Sequence, residues 1–330
     1  MVIDDVGRFV VGTGRCGSTL LLKMLSVHRS VVGLHEWFTG LDWGRRFRPG
    51  VVTGADLAAL LSEDQFVTTR LIGMGYRSDE ITYPFGEPSM KWQPGEPVPW
   101  LLVSMMPWLT PTPDHLYDEL IATARARPPS TMADHYAALF SFLADRTGHQ
   151  VWIERSGSSI DYVGELGALY PNARFVHIHR DGIEAALSIR AHPFFRLALA
   201  IYYDLFPDDV DAPDGDDTPI IRHVVENPPP VEVAGRYWSD QVLRGYRALA
   251  NIDAGQWLDV RFEELVTDPG PVLRRIEAFF DLPADDTFVT RAAALARGLP
   301  PSRADALGDD ERSLLESACR PGQMLLGRAH

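Results

Sequence analysis

The chain has 330 residues, 45% of them hydrophobic and 23% charged, with a formal net charge of −14. That length can bury a large core, and that charge excludes a nucleic-acid-coating protein, which needs a broad excess of positive charge to displace counterions from phosphate. No apolar run is long enough to span a bilayer, and Asp4 and Asp5 stand where a secretory leader would carry basic residues.

The cysteines, Cys16 and Cys319, lie far apart, so neither a disulfide framework nor a metal knuckle is expected, and a reducing, cytoplasmic compartment fits. Lys23 and Lys91 are the lysines; arginine carries nearly all the positive charge, which favours forked contacts to phosphate and carboxylate oxygens.

In chain order, residues 8–12 read as a short buried strand. Residues 18–27 read as a helix with Leu20, Leu21, Met24 and Leu25 on its apolar face. Strand, glycine-rich turn and helix in succession form a phosphate-binding order. From residue 31 to 113 the pattern is irregular, rich in Gly, Pro and aromatics such as Trp37, Trp43, Trp92, Trp100 and Trp108, and about 37–113 is taken as a substrate-binding insertion. Helical spacing returns over 114–127 and 132–146, followed by a strand at 150–153, a helix at 162–170, a strand at 174–179 and a helix from 182 to 190. Two consecutive strand–helix units imply a parallel sheet covered on both faces. The Asp- and Pro-rich stretch of about 207–230 reads as a loop or lid inside a single domain of residues 1–330. A helix over 231–250, a strand at 257–260 and a helix across 271–280 complete the pattern.

The segment Gly12-Thr13-Gly14-Arg15-Cys16-Gly17-Ser18-Thr19 has the glycine spacing of a nucleoside-triphosphate loop, with Ser18 where that motif requires lysine. A triphosphate needs the lysine; a shorter 5′-phosphosulfate can be held by backbone N–H groups, with Arg15 reaching the transferred group. A second motif is Phe175-Val-His-Ile-His-Arg180-Asp-Gly-Ile-Glu-Ala-Ala-Leu-Ser188. It places an arginine at a strand end and a hydroxyl two helical turns later, where both can converge on one phosphate.

With both motifs in this order, the sequence resembles the sulfotransferase family in its bacterial, arginine-containing form. Residues Gly14, Arg15, Cys16, Gly17, Ser18 and Thr19 resemble its 5′-phosphosulfate loop, and Arg180 with Ser188 resembles its 3′-phosphate motif. Glu154-Arg155-Ser156-Gly157 is similar to a family position that usually carries lysine, and residues 260–269 are similar to its late strand and loop. The family's basic C-terminal loop has no clear match, and Arg303 after Pro300-Pro301 is its stand-in.

The resemblance implies a three-layer α/β/α P-loop-like fold around a parallel sheet of four or five strands, with helical and loop insertions. It also implies 3′-phosphoadenosine 5′-phosphosulfate as co-substrate, no metal, and a small-molecule, carbohydrate or lipid hydroxyl as acceptor. Homo-oligomerisation stays open. Sulfonate transfer needs a base and a cation on opposite sides of the sulfur. Arg15 is the expected cation. Glu36, in Leu34-His35-Glu36-Trp37-Phe38, is the expected base and His35 its alternative. Arg155 and Trp37 are expected to contact substrate, though Arg155 can instead pair with Glu154 or a distant acid. His177 and His179, alternating along a strand, are expected in the core. The rivals are a P-loop small-molecule kinase, disfavoured by Ser18, and an inactive nucleotide-binding module.

Overall fold

The computed structural model describes residues 6–207, 210 and 216–328. Five parallel strands form the central sheet: β1 (Arg8–Val11), β2 (Val31–His35), β5 (Val151–Arg155), β6 (Arg174–His179) and β7 (Trp257–Arg261). Their spatial order is β2-β5-β1-β6-β7. Two short strands, β3 (Val51–Val52) and β4 (Ser130–Thr131), pair antiparallel apart from it.

Side chains of β1 alternate between the two faces, as a doubly covered sheet demands. Val10 joins Val176, Ile178, Val260 and Leu273 under helices Ser18–Leu25 and Pro269–Phe280. Phe9 and Val11 face the other layer, where Phe9 stacks on Phe175 at 5.5 Å and meets Trp152 edge-on at 5.7 Å. Each such buried ring contributes about 1.5–3 kcal/mol through area removed from water. Helices Met132–Arg146 and Val163–Leu169 close this side.

The sheet carries a strand that sequence periodicity did not indicate, β2, at residues expected to be irregular. Because all five strands run the same way, their carboxyl ends lie along one edge, and the chain leaves that edge at Gly12, Glu36, Ser156, Arg180 and Phe262. Ligands of open α/β sheets bind there.

Two expectations change. Trp37 is fully buried and packs edge-on against Phe140 at 4.8 Å and Tyr136 at 5.9 Å, so it belongs to the core and not to a substrate surface. Within the stretch expected as a lid, Thr218–Glu226 is a helix whose Ile221, Val224 and Val225 pack on Leu197 and Ala200 of helix Pro193–Tyr203. The remainder of that expectation at 208–209 and 211–215 lies outside the described residues. Among the described residues no helix is long and apolar enough to cross a membrane.

Candidate active site

At the carboxyl edge of the sheet lies a cavity of about 1000 Å³. The loop from Gly12 to Ser18 forms its floor, and its shape depends on small residues. Gly17 has φ +94°, and a Cβ there would lie 2.2 Å from the Phe262 ring; at Gly14 a Cβ would meet the Phe195 ring at 2.3 Å. Arg15 itself adopts φ 60°. Left-handed residues in such a turn aim successive N–H groups towards one anion ahead of the helix Ser18–Leu25.

Beside Ser18, at the lysine position of the loop, stands a cation from the neighbouring strand. Arg155, the last residue of β5, donates from Nε to Ser18 Oγ at 2.7 Å and from Nη1 to the Glu36 carboxylate. Burial works against its charge, and Glu36, Cys16, Glu80 and Glu154 together outweigh that, so its pKa is raised. The second carboxylate oxygen of Glu36 accepts from Gly157 N at 2.9 Å and from Thr39 Oγ1. Trp100 Nε1 donates to the Glu36 carbonyl at 2.7 Å, and Glu36 has φ 59°, so its backbone is fixed on both sides. Glu36 and Arg155 are buried yet both line the cavity.

His35 is adjacent in sequence but is placed differently. It is fully buried behind Arg155, stacks on Trp108 at 4.7 Å, and does not line the cavity. Its Nε2 lies 3.3 Å from Arg155 Nη1 and its Nδ1 lies 3.3 Å from Ser104 Oγ. Burial lowers its pKa to about 4, with Glu36 opposing and Arg155 adding to the shift, so the ring is neutral near pH 7. The residue expected as the alternative base therefore has no surface on the cavity. Cys16 is likewise fully buried, so the loop offers its backbone but not its thiol. His177 and His179 are core residues, held by Asp259 at 2.6 Å and Arg328 at 3.1 Å.

Across the cavity stands the second expected cluster. Arg180, at the end of β6, lies 5.0 Å from the Phe262 ring centroid. Asp181 caps the helix Gly182–Ala191 by accepting from Glu184 N at 3.0 Å. Glu184 then accepts from Ser302 Oγ at 2.8 Å and from the N–H groups of Arg303 at 2.9 Å and Ala304 at 3.2 Å. That carboxylate binds the C-terminal loop to Arg180, which lies 3.6 Å away, and so brings Arg303 to the cavity wall. Burial would raise the Glu184 pKa, but these donors hold it below its ordinary value.

Arg15 joins the two clusters. Its Nε donates to Ser188 Oγ at 3.2 Å, and its Nη1 donates to Glu80 at 3.2 Å. Glu80 also lies 3.4 Å from His192 Nε2; burial pushes its pKa up, and His192 and Arg15 together hold it well below the carboxylate range. Glu80, His192 and the Asp161–Arg244 pair at 2.8 Å all line the cavity and were missed in the sequence. No local signal marks them, because each partnership joins residues more than 80 positions apart or an unpatterned stretch. The lining holds seven Lys or Arg and four Asp or Glu, a positive pocket in a chain of net charge −14.

Next to Arg155 on β5, Glu154 faces the opposite layer, with Ser156 on one carboxylate oxygen and no hydrogen-bond partner for the other. Burial pushes its pKa from 4.5 up to about 8. The folded chain therefore retains a proton that the unfolded chain releases, and stability falls as pH rises from about 4.5 to about 8. Glu154→Gln is expected to flatten that loss. Thermal unfolding scanned between about pH 6 and about pH 9 checks it: wild type should drop more than the variant.

A glycine-shaped loop at the first strand of a parallel sheet, facing an arginine–serine pair at the next strand's end, places the chain among α/β proteins with a P-loop-like fold. The chain belongs to the sulfotransferase family: the family model matches residues 104–214 and 226–286. It is therefore an enzyme that moves a sulfonate group. No curated protein matches in sequence. Among solved structures, the sulfotransferase domain from the curacin biosynthetic pathway is 14% identical with a TM-score of 0.50, covering 98% of each chain, and it supports the fold. The sulfotransferase STF9 from Mycobacterium avium is 18% identical with a TM-score of 0.45, over 96% of this chain and 75% of that one. Mouse sulfotransferase SULT7A1, complexed with PAP, is 11% identical with a TM-score of 0.40, over 99% and 89%.

Proposed function

We propose that the enzyme transfers sulfonate from 3′-phosphoadenosine 5′-phosphosulfate to an acceptor hydroxyl, with Glu36 as base and Arg15 and Arg155 as the cations at the reacting group. The observation that carries this is the 3.2 Å contact of Arg15 with Ser188, which puts the loop and the Arg180 cluster on one cavity. Two anion clusters lining one cavity suit a nucleotide phosphorylated at both ends. Fit is supported by the donor set: loop N–H groups and Ser18 at one end, Arg180, Ser188 and Arg303 at the other, with glycines where a Cβ would fill the cradle.

The donor supplies an activated sulfonate whose leaving group is a phosphate. Arg155 ties the start of the helix Ser18–Leu25 to the Glu36 carboxylate, so a charge arriving above Ser18 competes with Glu36 for its guanidinium. Release from Arg155 leaves a Glu36 oxygen free to accept the acceptor's proton, while Thr39 and Gly157 keep that carboxylate aimed. Arg15 exchanges Glu80 for the developing negative charge on the leaving phosphate. In-line displacement requires the base, Glu36, and the leaving-group cation, Arg15, on opposite sides of the sulfur.

The test is incubation with sulfur-labelled donor and a panel of phenols, sugars, hydroxy acids and lipid alcohols. Label is expected in at least one acceptor together with release of 3′-phosphoadenosine 5′-phosphate. Failure of the protein to bind that product would overturn the assignment of the nucleotide.

A further inference from the structure

Beside the base, one buried arginine has no carboxylate at contact distance, Glu154 and Glu165 acting on it only from further away. Arg46 is 1% exposed and lines the cavity, yet no ion pair among the described residues includes it. Its side-chain hydrogen bond runs from Nη1 to the Phe38 carbonyl at 2.9 Å, and its buried Nε has no partner. Guanidinium carries five N–H donors, and leaving them unsatisfied in a buried site is costly.

The surroundings fix what can complete the set. Trp43 covers one side of the guanidinium at 4.1 Å and Tyr162 approaches at 4.2 Å, with Phe47 at 4.9 Å. Aromatic rings take up the faces of a guanidinium and leave its edge, where the N–H groups point. The Arg46 backbone is pinned as well: its N–H donates to the Asp42 carbonyl at 2.9 Å and its carbonyl accepts from Tyr136 Oη at 2.8 Å. The side chain is thus preorganised, and its contact at Phe38 is one residue from Thr39, which holds Glu36. Trp43 is 67% exposed and Phe66 56% exposed, an apolar rim on the same cavity.

Resting on the assignment of the cavity as a sulfotransferase site, we infer that Arg46 reads a carboxylate on the acceptor, so that the physiological substrate is a hydroxy acid with an apolar frame. The hydroxyl meets Glu36, the carboxylate lies in the plane of the Arg46 guanidinium, and the frame packs on Trp43 and Phe66. A planar carboxylate fits an edge bounded by rings better than a tetrahedral phosphate, which needs room out of the plane.

The experiment uses the full chain, labelled donor, and matched pairs of acid and methyl ester: hydroxyphenylpropionate, hydroxycinnamate, hydroxystearate and a hydroxylated bile acid. For wild type, the acid of the best pair is expected to exceed its ester by about 10- to 100-fold in kcat/KM, mainly through KM. Arg46→Met, which keeps length and ring contact, is expected to bring that ratio to about one with the donor KM unchanged, and Arg46→Lys to fall between. The wild-type ratio stands without the variants should either fold poorly. Esters matching acids in wild type, or a ratio preserved in Arg46→Met, overturns the inference. So does a panel left wholly unlabelled by protein that still binds 3′-phosphoadenosine 5′-phosphate. Absence of that binding instead removes the nucleotide assignment beneath it.

Discussion

Glu36→Gln is expected to lower kcat by about 10²- to 10⁴-fold while leaving the affinity for 3′-phosphoadenosine 5′-phosphate within about twofold. Glutamine keeps the shape and one acceptor oxygen, so contacts to Gly157 and Thr39 can persist, but it cannot take a proton at neutral pH. The substitution also removes the counter-charge of Arg155, a buried partner, and breaking such a pair typically costs about 3–5 kcal/mol of stability. The product-affinity measurement separates the two effects, because a collapsed site would lose nucleotide as well as turnover. Retention of more than a tenth of wild-type kcat would remove Glu36 as base and turn attention to the Glu80–His192 pair on the same cavity.

Arg180→Ala is expected to weaken binding of 3′-phosphoadenosine 5′-phosphate by about 10- to 100-fold, the worth of one charge-assisted contact to phosphate. The informative comparison is a nucleotide without the 3′-phosphate. Adenosine 5′-phosphosulfate should bind wild type and Arg180→Ala alike, since Arg180 would then have nothing to hold. An equal loss for both nucleotides would mean that Arg180 acts by positioning Glu184 and the loop around Arg303. Donor KM should rise far more than saturated kcat falls, because Arg180 stands across the cavity from Glu36.

Much of this site was legible because its two anion motifs are local. A strand, a glycine turn and a helix lie within Arg8–Leu25, and Arg180 and Ser188 share one strand–helix junction, so spacing alone places them. What failed to read depended on packing. Strand β2 was hidden by Gly33, which resembles a turn signal; its actual reason is close approach, since a Cβ there would lie 2.2 Å from Ser26 Oγ. Trp37 sits in an aperiodic stretch, where nothing distinguishes a ring folded into the core from one lining a cavity. The helix Thr218–Glu226 was obscured by flanking Asp and Pro, although Ile221, Val224 and Val225 keep helical spacing. Arg46, Glu80 and His192 gain their meaning only from partners brought by the fold.

The account rests on one nucleotide bridging the loop and the Arg180 cluster, and a crystal structure of the protein with 3′-phosphoadenosine 5′-phosphate tests that directly. The 5′-phosphate is predicted at the loop N–H groups of Gly14 to Ser18 and the 3′-phosphate between Arg180, Ser188 and Arg303. A nucleotide bound with neither phosphate at these residues would contradict it.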